Sequence, residues 1–554
     1  MTPDFDYPVH EPHLPPLVAG RETKRHDVMI CGGGPVGLAL ALVLAQHGFA
    51  SVVIDADTTV CQGSRAICLS RRTMEILDRL GVADAFVQKG LGWTTGRSFY
   101  RTAEVLAFDM PHGPDDRFAP MTNIAQYDIE QLLVDAIAHY PELIELRWGT
   151  ELMGVSTEVS GVSVDLNAAG QSYRTQAQWL VACDGARSKV RQELGLRMRG
   201  TAYEGRYVIV DVKVDLGWPT ERLAWFDPPS NPGRTMLMHR QPGDIWRIDY
   251  QLHDGESAEE MTKPEKVIPV VEAHFAMLDV DRPWRLIWSS SYRASALSLD
   301  DYIHGNVVFA GDAAHLVPIF GVRGLNSGFE DVFNLGWKLS RILNGSSPPS
   351  LLHSYSRERR DVWAGNIAHA MKSTEFMAPP SRGFELMRDA VLSLAERHRE
   401  LRSLINPRQS SVIPYDGSPL NVASPDETDF SPALRPGTVI PDCPVTVQGV
   451  PSFLTRHLGR DFTLIVFPTP KLAFDLGSPI SDVTVLTVMA DAHDVSTRPV
   501  GDALIDPEGR CRRAFDADPA AVYLVRPDGY ICARWRSVDR NRIETALRHA
   551  GALS

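Results

Sequence analysis

Between Asp27 and Asp55 the chain alternates short apolar runs with one glycine turn. Asp27-Val-Met-Ile-Cys31 precedes Gly32-Gly-Gly-Pro-Val-Gly37, an apolar helix follows from Leu38 to Gln46, and Ser51-Val-Val-Ile-Asp55 closes the pattern. Strand, tight turn, helix and second strand make a compact βαβ unit. From about Arg222 the period falls to two: Arg222 to Phe226, Arg234 to His239 and Asp244 to Leu252 are separated by Pro, Gly, Asn and Asp, which predicts a β-meander. A second glycine-rich βα element spans Asn306 to Leu343, so a nucleotide-binding domain is expected to be interrupted by the sheet and then resumed. In its helix Leu325, Phe329, Val332, Phe333, Gly336, Leu339 and Leu343 recur at a helical period.

A chain of 554 residues exceeds what one hydrophobic core usually serves. The expected divisions are a mobile Pro-rich arm over 1–24, a first part of the nucleotide-binding domain over 25–200, an inserted substrate-binding sheet over 201–300, and the resumed domain with its helices over 301–405. A polar linker over 406–435 and a third, α/β domain over 436–554 complete the chain. In that last domain Ala521 to Trp535 reads as a hairpin around Pro527-Asp-Gly529.

A net charge of −13 opposes binding to nucleic acid or to an anionic membrane surface, and no apolar run is long enough for a membrane span. The N-terminus lacks the apolar core of a signal peptide, so a cytoplasmic protein is expected. The seven cysteines are scattered and never spaced CxxC, which argues against a disulfide framework, a metal site or a dithiol redox centre.

Gly32-x-Gly34-x-x-Gly37 sits between strand and helix, with Pro35 at the helix start, and Asp55 ends the next strand 18 residues after the last glycine. The glycines let backbone approach a pyrophosphate, the helix N-terminus supplies unpaired N–H groups, and Asp55 can accept both ribose hydroxyls. This predicts an adenine dinucleotide without separating FAD from NAD.

Two later segments make that distinction: Val181-Ala-Cys-Asp184-Gly185-Ala-Arg187-Ser188 and Val307-Val-Phe-Ala-Gly311-Asp312-Ala-Ala-His315-Leu-Val-Pro318. With the glycine turn they resemble the group A flavoprotein hydroxylases, the family of 4-hydroxybenzoate hydroxylase, phenol hydroxylase and 3-(3-hydroxyphenyl)propionate hydroxylase. The resemblance covers His26 to about Asn366, and the C-terminal domain more loosely. It implies an α/β fold, with a Rossmann-like FAD-binding domain of glutathione-reductase type, an inserted β-sheet and a thioredoxin-like C-terminal domain without CxxC. Asp184 lies in that family's motif where FAD and NAD(P)H chemistry meet, and Asp312, after Gly311, binds the FAD ribityl chain. Ser64, Arg65 and Gln126 match residues beside the cofactor. Pro318, Gly324, Leu325 and Asn326 belong to a loop and helix start whose N–H groups would face the flavin and stabilise its reduced, anionic form. The segment from Ile319 to Gly324 departs from the family's second proline and glycine-rich turn, which bears on the substrate pocket.

The implied activity is hydroxylation of a phenolic compound by non-covalent FAD, with NAD(P)H and O2 as co-substrates, through a flavin hydroperoxide, in a homodimer. The phenol must lose its proton. On the strand Asp244 to Leu252, Arg247, Asp249 and Gln251 share one face and Trp246, Ile248, Tyr250 and Leu252 the other. Asp249 takes the place of an active-site tyrosine of phenol hydroxylase, beside Arg247; Tyr250, Tyr292, His239 and His315 are further candidates for the base. Arg247, Arg293 and Arg323 are candidate anchors for a substrate carboxylate. The C-terminal domain is expected to serve packing or dimer contact, so that removing the chain after about Ser424 leaves the flavin site assembled. The rival readings are an FAD-linked dehydrogenase or epoxidase of the same fold, and a non-catalytic flavin-binding assembly protein.

Overall fold

The apolar run that ends at Cys31 forms the strand Arg21–Cys31 near the middle of a nine-stranded sheet. Ser51–Ile54 and then Ile144–Arg147 lie parallel on one side of it, and Gln171–Ala182 lies parallel on the other. Val307–Phe309 joins beside Gln171–Ala182, again in parallel, so residues on both sides of the meander share one sheet. The helices Pro35–Gln46 and Gly324–Leu343 pack on this sheet, each carrying an almost entirely buried row of side chains. The computed structural model describes residues 6–551 apart from 319, 406–410, 469–478, 492–500 and 538, with backbone alone at 202–205 and 294.

The meander is the centre of an eight-stranded sheet in the order His315–Leu316, Arg285–Ser298, Arg199–Lys213, Ile245–Gln251, Thr235–Gln241, Arg222–Phe226, Thr95–Tyr100 and Ala103–Asp109. It therefore recruits strands from outside residues 201–300. Alternation gives it two distinct faces. Met236, Met238, Trp246, Ile248 and Tyr250 pack under the helix Pro264–Met277, while Ala224, Leu237 and Asp249 face the nucleotide-binding domain.

Two segments depart from the sequence expectation. In the stretch read as a mobile arm, Leu17–Val18 pairs with the strand that begins at Arg21, the Tyr7 hydroxyl donates to Asp128 Oδ1 at 2.6 Å, and the His10 ring stacks on Trp148 at 5.3 Å. In the stretch read as a linker, Tyr415 is buried and stacks on Tyr530 at 3.9 Å. Aromatic contacts, which proline content does not reveal, fasten both segments.

A seven-stranded sheet makes up the C-terminal part. Its strands Phe462–Phe467, Val483–Met489 and Asp502–Ile505 run parallel; Ala521–Val525 pairs antiparallel with Phe462–Phe467, and Ile531–Trp535 pairs antiparallel with Ala521–Val525. Phe462, Leu464, Val466, Leu524 and Trp535 share one core with the helix Gly324–Leu343. A fully buried charge group joins the two parts: Glu358 accepts from Arg526 Nη1 at 2.6 Å and from Lys338 Nζ at 2.7 Å, and Asp528 accepts from Trp337 Nε1 at 3.1 Å. The expectation that the first 424 residues keep their flavin site without this part is at odds with that shared core.

Candidate active site

The glycine turn opens a cleft of about 1030 Å³ between the two larger sheets. Gly32 has φ +110°, and a Cβ there would lie 2.4 Å from the Cys183 carbonyl oxygen; one at Gly37 would lie 2.0 Å from the Gly32 oxygen. The backbone can make this turn only without side chains. Gly34 caps the helix Pro35–Gln46 with no side-chain bond, which leaves the helix N–H groups open to the cleft. Asp55 Oδ2 accepts from the Gly33 N–H at 2.6 Å and Oδ1 from Asp57 N–H at 2.8 Å. Each oxygen retains a lone pair for a hydroxyl, and burial pushes the carboxyl up.

Asp184, just beyond the strand Gln171–Ala182, accepts from Val190 N–H at 3.0 Å through Oδ2. Its buried Oδ1 has no partner among the described residues, and burial raises its carboxyl. Gly311 begins a tight turn whose N–H donates to Asp331 Oδ2 at 2.9 Å; His315 Nε2 lies 2.7 Å from the same oxygen. Against the upward push of burial, His315 and Arg359 hold Asp331 below the usual carboxylate range. This fixed turn leaves the Asp312 carboxylate open to the cleft.

Gly324, Leu325 and Asn326 line the cleft where the helix Gly324–Leu343 begins, with no side-chain cap. Asn326 offers backbone only: its Oδ1 accepts from Ser70 N–H at 2.8 Å and Thr73 Oγ1 at 2.6 Å, while Nδ2 donates to Val322 and Cys68 carbonyls. Ser64 and Pro318 are buried beside the cleft and do not line it; Ile319 lies outside the described residues. Ser64 instead accepts from Gln126 N–H at 2.9 Å, and Gln126 Oε1 accepts from Ala66 N–H at 3.1 Å, which shapes the loop that carries Arg65 into the cleft.

At the other end the sheet presents rows of side chains. One row crosses four strands as Arg222, His239, Arg247 and Asp211, and the next as Ala224, Leu237, Asp249 and Ile209. Arg247 is not an open catalytic group. Its Nε and Nη2 bind both Asp211 oxygens, at 2.9 and 3.0 Å, and the guanidinium also donates to the carbonyls of Ser64 and Arg65. Asp249 is buried, its Oδ1 without a partner among the described residues. Burial pushes its carboxyl up to about 7, opposed by Arg247 and Arg222 and aided by Asp211.

Tyr250 is corrected as a catalytic candidate: it points into the opposite, apolar face and its hydroxyl reaches the Met261 carbonyl at 3.4 Å. Tyr292 and Arg293 line the cleft, as does Arg323, which donates to Asn366 Oδ1 at 2.9 Å. His315 is committed to Asp331. Sequence reasoning missed Arg222 and Asp211; the alternation of Arg222, Ala224 and Phe226 on their strand carries the first of these.

The cleft fits FAD: a glycine cradle that a Cβ would fill, two open helix N-termini and the open Asp312 carboxylate lie along its length. Family comparison agrees. The model of the FAD binding domain family matches residues 25–370, and the chain belongs to that family. A 3-(3-hydroxy-phenyl)propionate/3-hydroxycinnamic acid hydroxylase of Burkholderia cenocepacia is 28% identical over 531 residues, 92% of this chain and 94% of its own. The protein of that name from Escherichia coli K12 is 26% identical over 525 residues, 92% of this chain and 91% of its own. Among solved structures, the flavin-dependent monooxygenase PieE with FAD and substrate aligns at TM-score 0.75 and 22% identity, over 96% of this chain and all of that one. Aklavinone-11 hydroxylase with FAD and aklavinone aligns at TM-score 0.74 and 22% identity, over 96% and 99%. These last two share the fold. The chain is an FAD-dependent oxidoreductase of the aromatic-hydroxylase type.

Proposed function

We propose that this enzyme is a monooxygenase that hydroxylates a phenolic ring with NAD(P)H as reductant and O2 as oxidant. The observation that carries the reading is Asp249, a buried carboxyl in the cleft wall whose Oδ1 has no partner among the described residues and which burial pushes up to about 7. FAD, when bound, supplies the reduction by NAD(P)H and the activation of O2; the hydroperoxide route implied by the sequence resemblance belongs to this proposal. The chain's own residues do the rest. Gly32, Gly34, Pro35, Gly37 and Asp55 hold the adenosine and pyrophosphate. Arg65, Gln126, Asp184, Gly311 and Asp312 hold the middle of the cofactor, and the backbone of Gly324, Leu325 and Asn326 faces the flavin ring. Asp249 accepts the phenolic proton, which enriches the ring in electrons. Leu237, Ile209 and Phe320 line that part of the cleft and exclude water from it.

The same proposal includes a cytoplasmic location, a thioredoxin-like assignment for the C-terminal part, and a homodimer. No helix among the described residues is long and apolar enough to cross a membrane. The mixed C-terminal sheet supports the domain assignment, and exposed Leu386, Met387 and Leu394 on the helix Arg382–Ala395 support association. The test is a screen of phenols and phenolic acids, 3-(3-hydroxyphenyl)propionate included, for stimulated NAD(P)H consumption with product identification. A hydroxylated product is expected. Consumption that yields only H2O2 with every phenol would overturn the reading.

A further inference from the structure

Arg222 stands at the start of the strand Arg222–Phe226, only 7% exposed, and lines the cleft. Among the described residues its guanidinium makes no hydrogen bond and no ion pair; its electrostatic neighbours are Cys68 and Asp249. The other buried arginines of the cleft are committed, Arg247 to Asp211 and Arg323 to Asn366. Burial lowers Arg222 only to about 10, so it stays charged at neutral pH.

Its cross-strand neighbour His239 is buried too, and His239 Nδ1 has no partner among the described residues. Burial, then Arg222 and Arg247, lower that imidazole to about 3, so it is neutral and offers hydrogen bonds rather than charge. A buried cation with open donors beside a buried, unsatisfied ring nitrogen is costly unless an anion completes it.

The register defines the shape of that anion's owner. Arg222 and Asp249 lie two strands apart and two residues apart along the strands, with Cα separations of about 10 Å across and about 7 Å along the sheet. Between them Leu237 lines the cleft with an apolar side chain, flanked by His239. A flat apolar body with an anionic group at one end and a hydroxyl at the other matches it. The planar fork of an arginine suits a carboxylate, which it can bind through two parallel hydrogen bonds.

We propose that Arg222, with His239 beside it, binds the carboxylate of a phenolic acid whose hydroxyl meets Asp249. The proposal rests on the hydroxylase reading above, and its test separates the two. Equilibrium binding of 3-phenylpropionate and of its neutral amide, neither of which carries a phenolic hydroxyl, is measured by calorimetry on FAD-loaded wild type, Arg222→Met and Arg222→Gln. Wild type should prefer the acid, and both variants should lose that preference, with acid affinity falling about 30-fold or more and amide affinity unchanged. In turnover, KM for 3-(3-hydroxyphenyl)propionate should rise far more in both variants than KM for the amide of that acid. A wild type without preference for the acid, or a preference that survives in either FAD-loaded variant, overturns the anchor. Should Arg222→Met fail to load FAD, Arg222→Gln decides alone. A wild type that prefers the acid yet hydroxylates no phenol would support the anchor and sink the hydroxylase reading.

Discussion

Arg247 and Asp211 face each other on neighbouring strands, joined by two hydrogen bonds of 2.9 and 3.0 Å, and the same guanidinium holds the carbonyls of Ser64 and Arg65. One side chain thus ties the substrate sheet to the loop that carries Arg65 into the cofactor cleft. Arg247→Met should leave Asp211 buried and unpaired, at a cost of about 3 to 5 kcal/mol. FAD affinity should fall with it, read by flavin titration alongside calorimetric unfolding. The double variant Arg247→Met, Asp211→Leu should regain most of the stability but not the affinity. A single variant as stable as the parent would show that the pair holds nothing together.

Asp249 acts as a base only when ionised. Its carboxyl is pushed up to about 7, so the competent form should grow as pH rises through that value and disappear below it. The kcat/KM of a neutral phenol should therefore fall about tenfold per pH unit on the acid side. Asp249→Asn should retain FAD and lose about two to four orders of magnitude in hydroxylation. Raising pH toward the phenol's own pKa should partly rescue it, and uncoupled H2O2 should increase. Hydroxylation at the parental rate would return Asp249 to the role of a wall residue.

Asp312 is the open carboxylate of a turn whose other bonds are internal. Asp312→Ala should weaken FAD binding by about 1 to 3 kcal/mol, through hydroxyl donors left without an acceptor. Fluorescence titration of the apoprotein measures it, with circular dichroism to establish folding. Unchanged affinity in a folded variant would remove Asp312 from the cofactor site.

Glu358 has no solvent and answers to Arg526 and Lys338 together, which hold its carboxyl well below the usual range against the opposing effect of burial. Glu358→Gln should leave Lys338 buried without its carboxylate and Arg526 with Asp528 alone, at a cost of about 3 to 5 kcal/mol. Thermal unfolding should show one lowered transition, because both parts share a core. A chain ending after Ser424 should fail to accumulate as a soluble flavoprotein; recovery of such a fragment with FAD bound would restore the modular picture drawn from sequence.

What was legible in the chain was local. The glycine turn, its helix and the terminal Asp55 follow from spacing over fewer than thirty residues, and the period-two alternation correctly assigned Arg247 and Asp249 to one strand face. Register across strands was not legible, because nothing local says that Arg222 stands beside His239 or that Asp211 neutralises Arg247. The strands Thr95–Tyr100 and Ala103–Asp109 join the sheet across more than a hundred residues of intervening chain. Tyr250 lies on the face opposite Asp249, as the alternation along its own strand dictates. Asn326 reads as a cofactor contact by position, and only the fold reveals that Ser70, Thr73, Cys68 and Val322 use its amide.

The two-faced strands make the chemistry of this protein separable from its architecture. Trp246, Ile248 and Tyr250 hold the sheet to its helix, while Arg247, Asp249, Leu237, His239, Arg222 and Ala224 face the other way. A mutational library confined to Leu237 and His239, on the cleft floor between Arg222 and Asp249, can therefore alter which aromatic is accepted while leaving the helix-facing core untouched. Arg222 and Asp249, at the two ends of that floor, would set the polarity and length of any new molecule it admits.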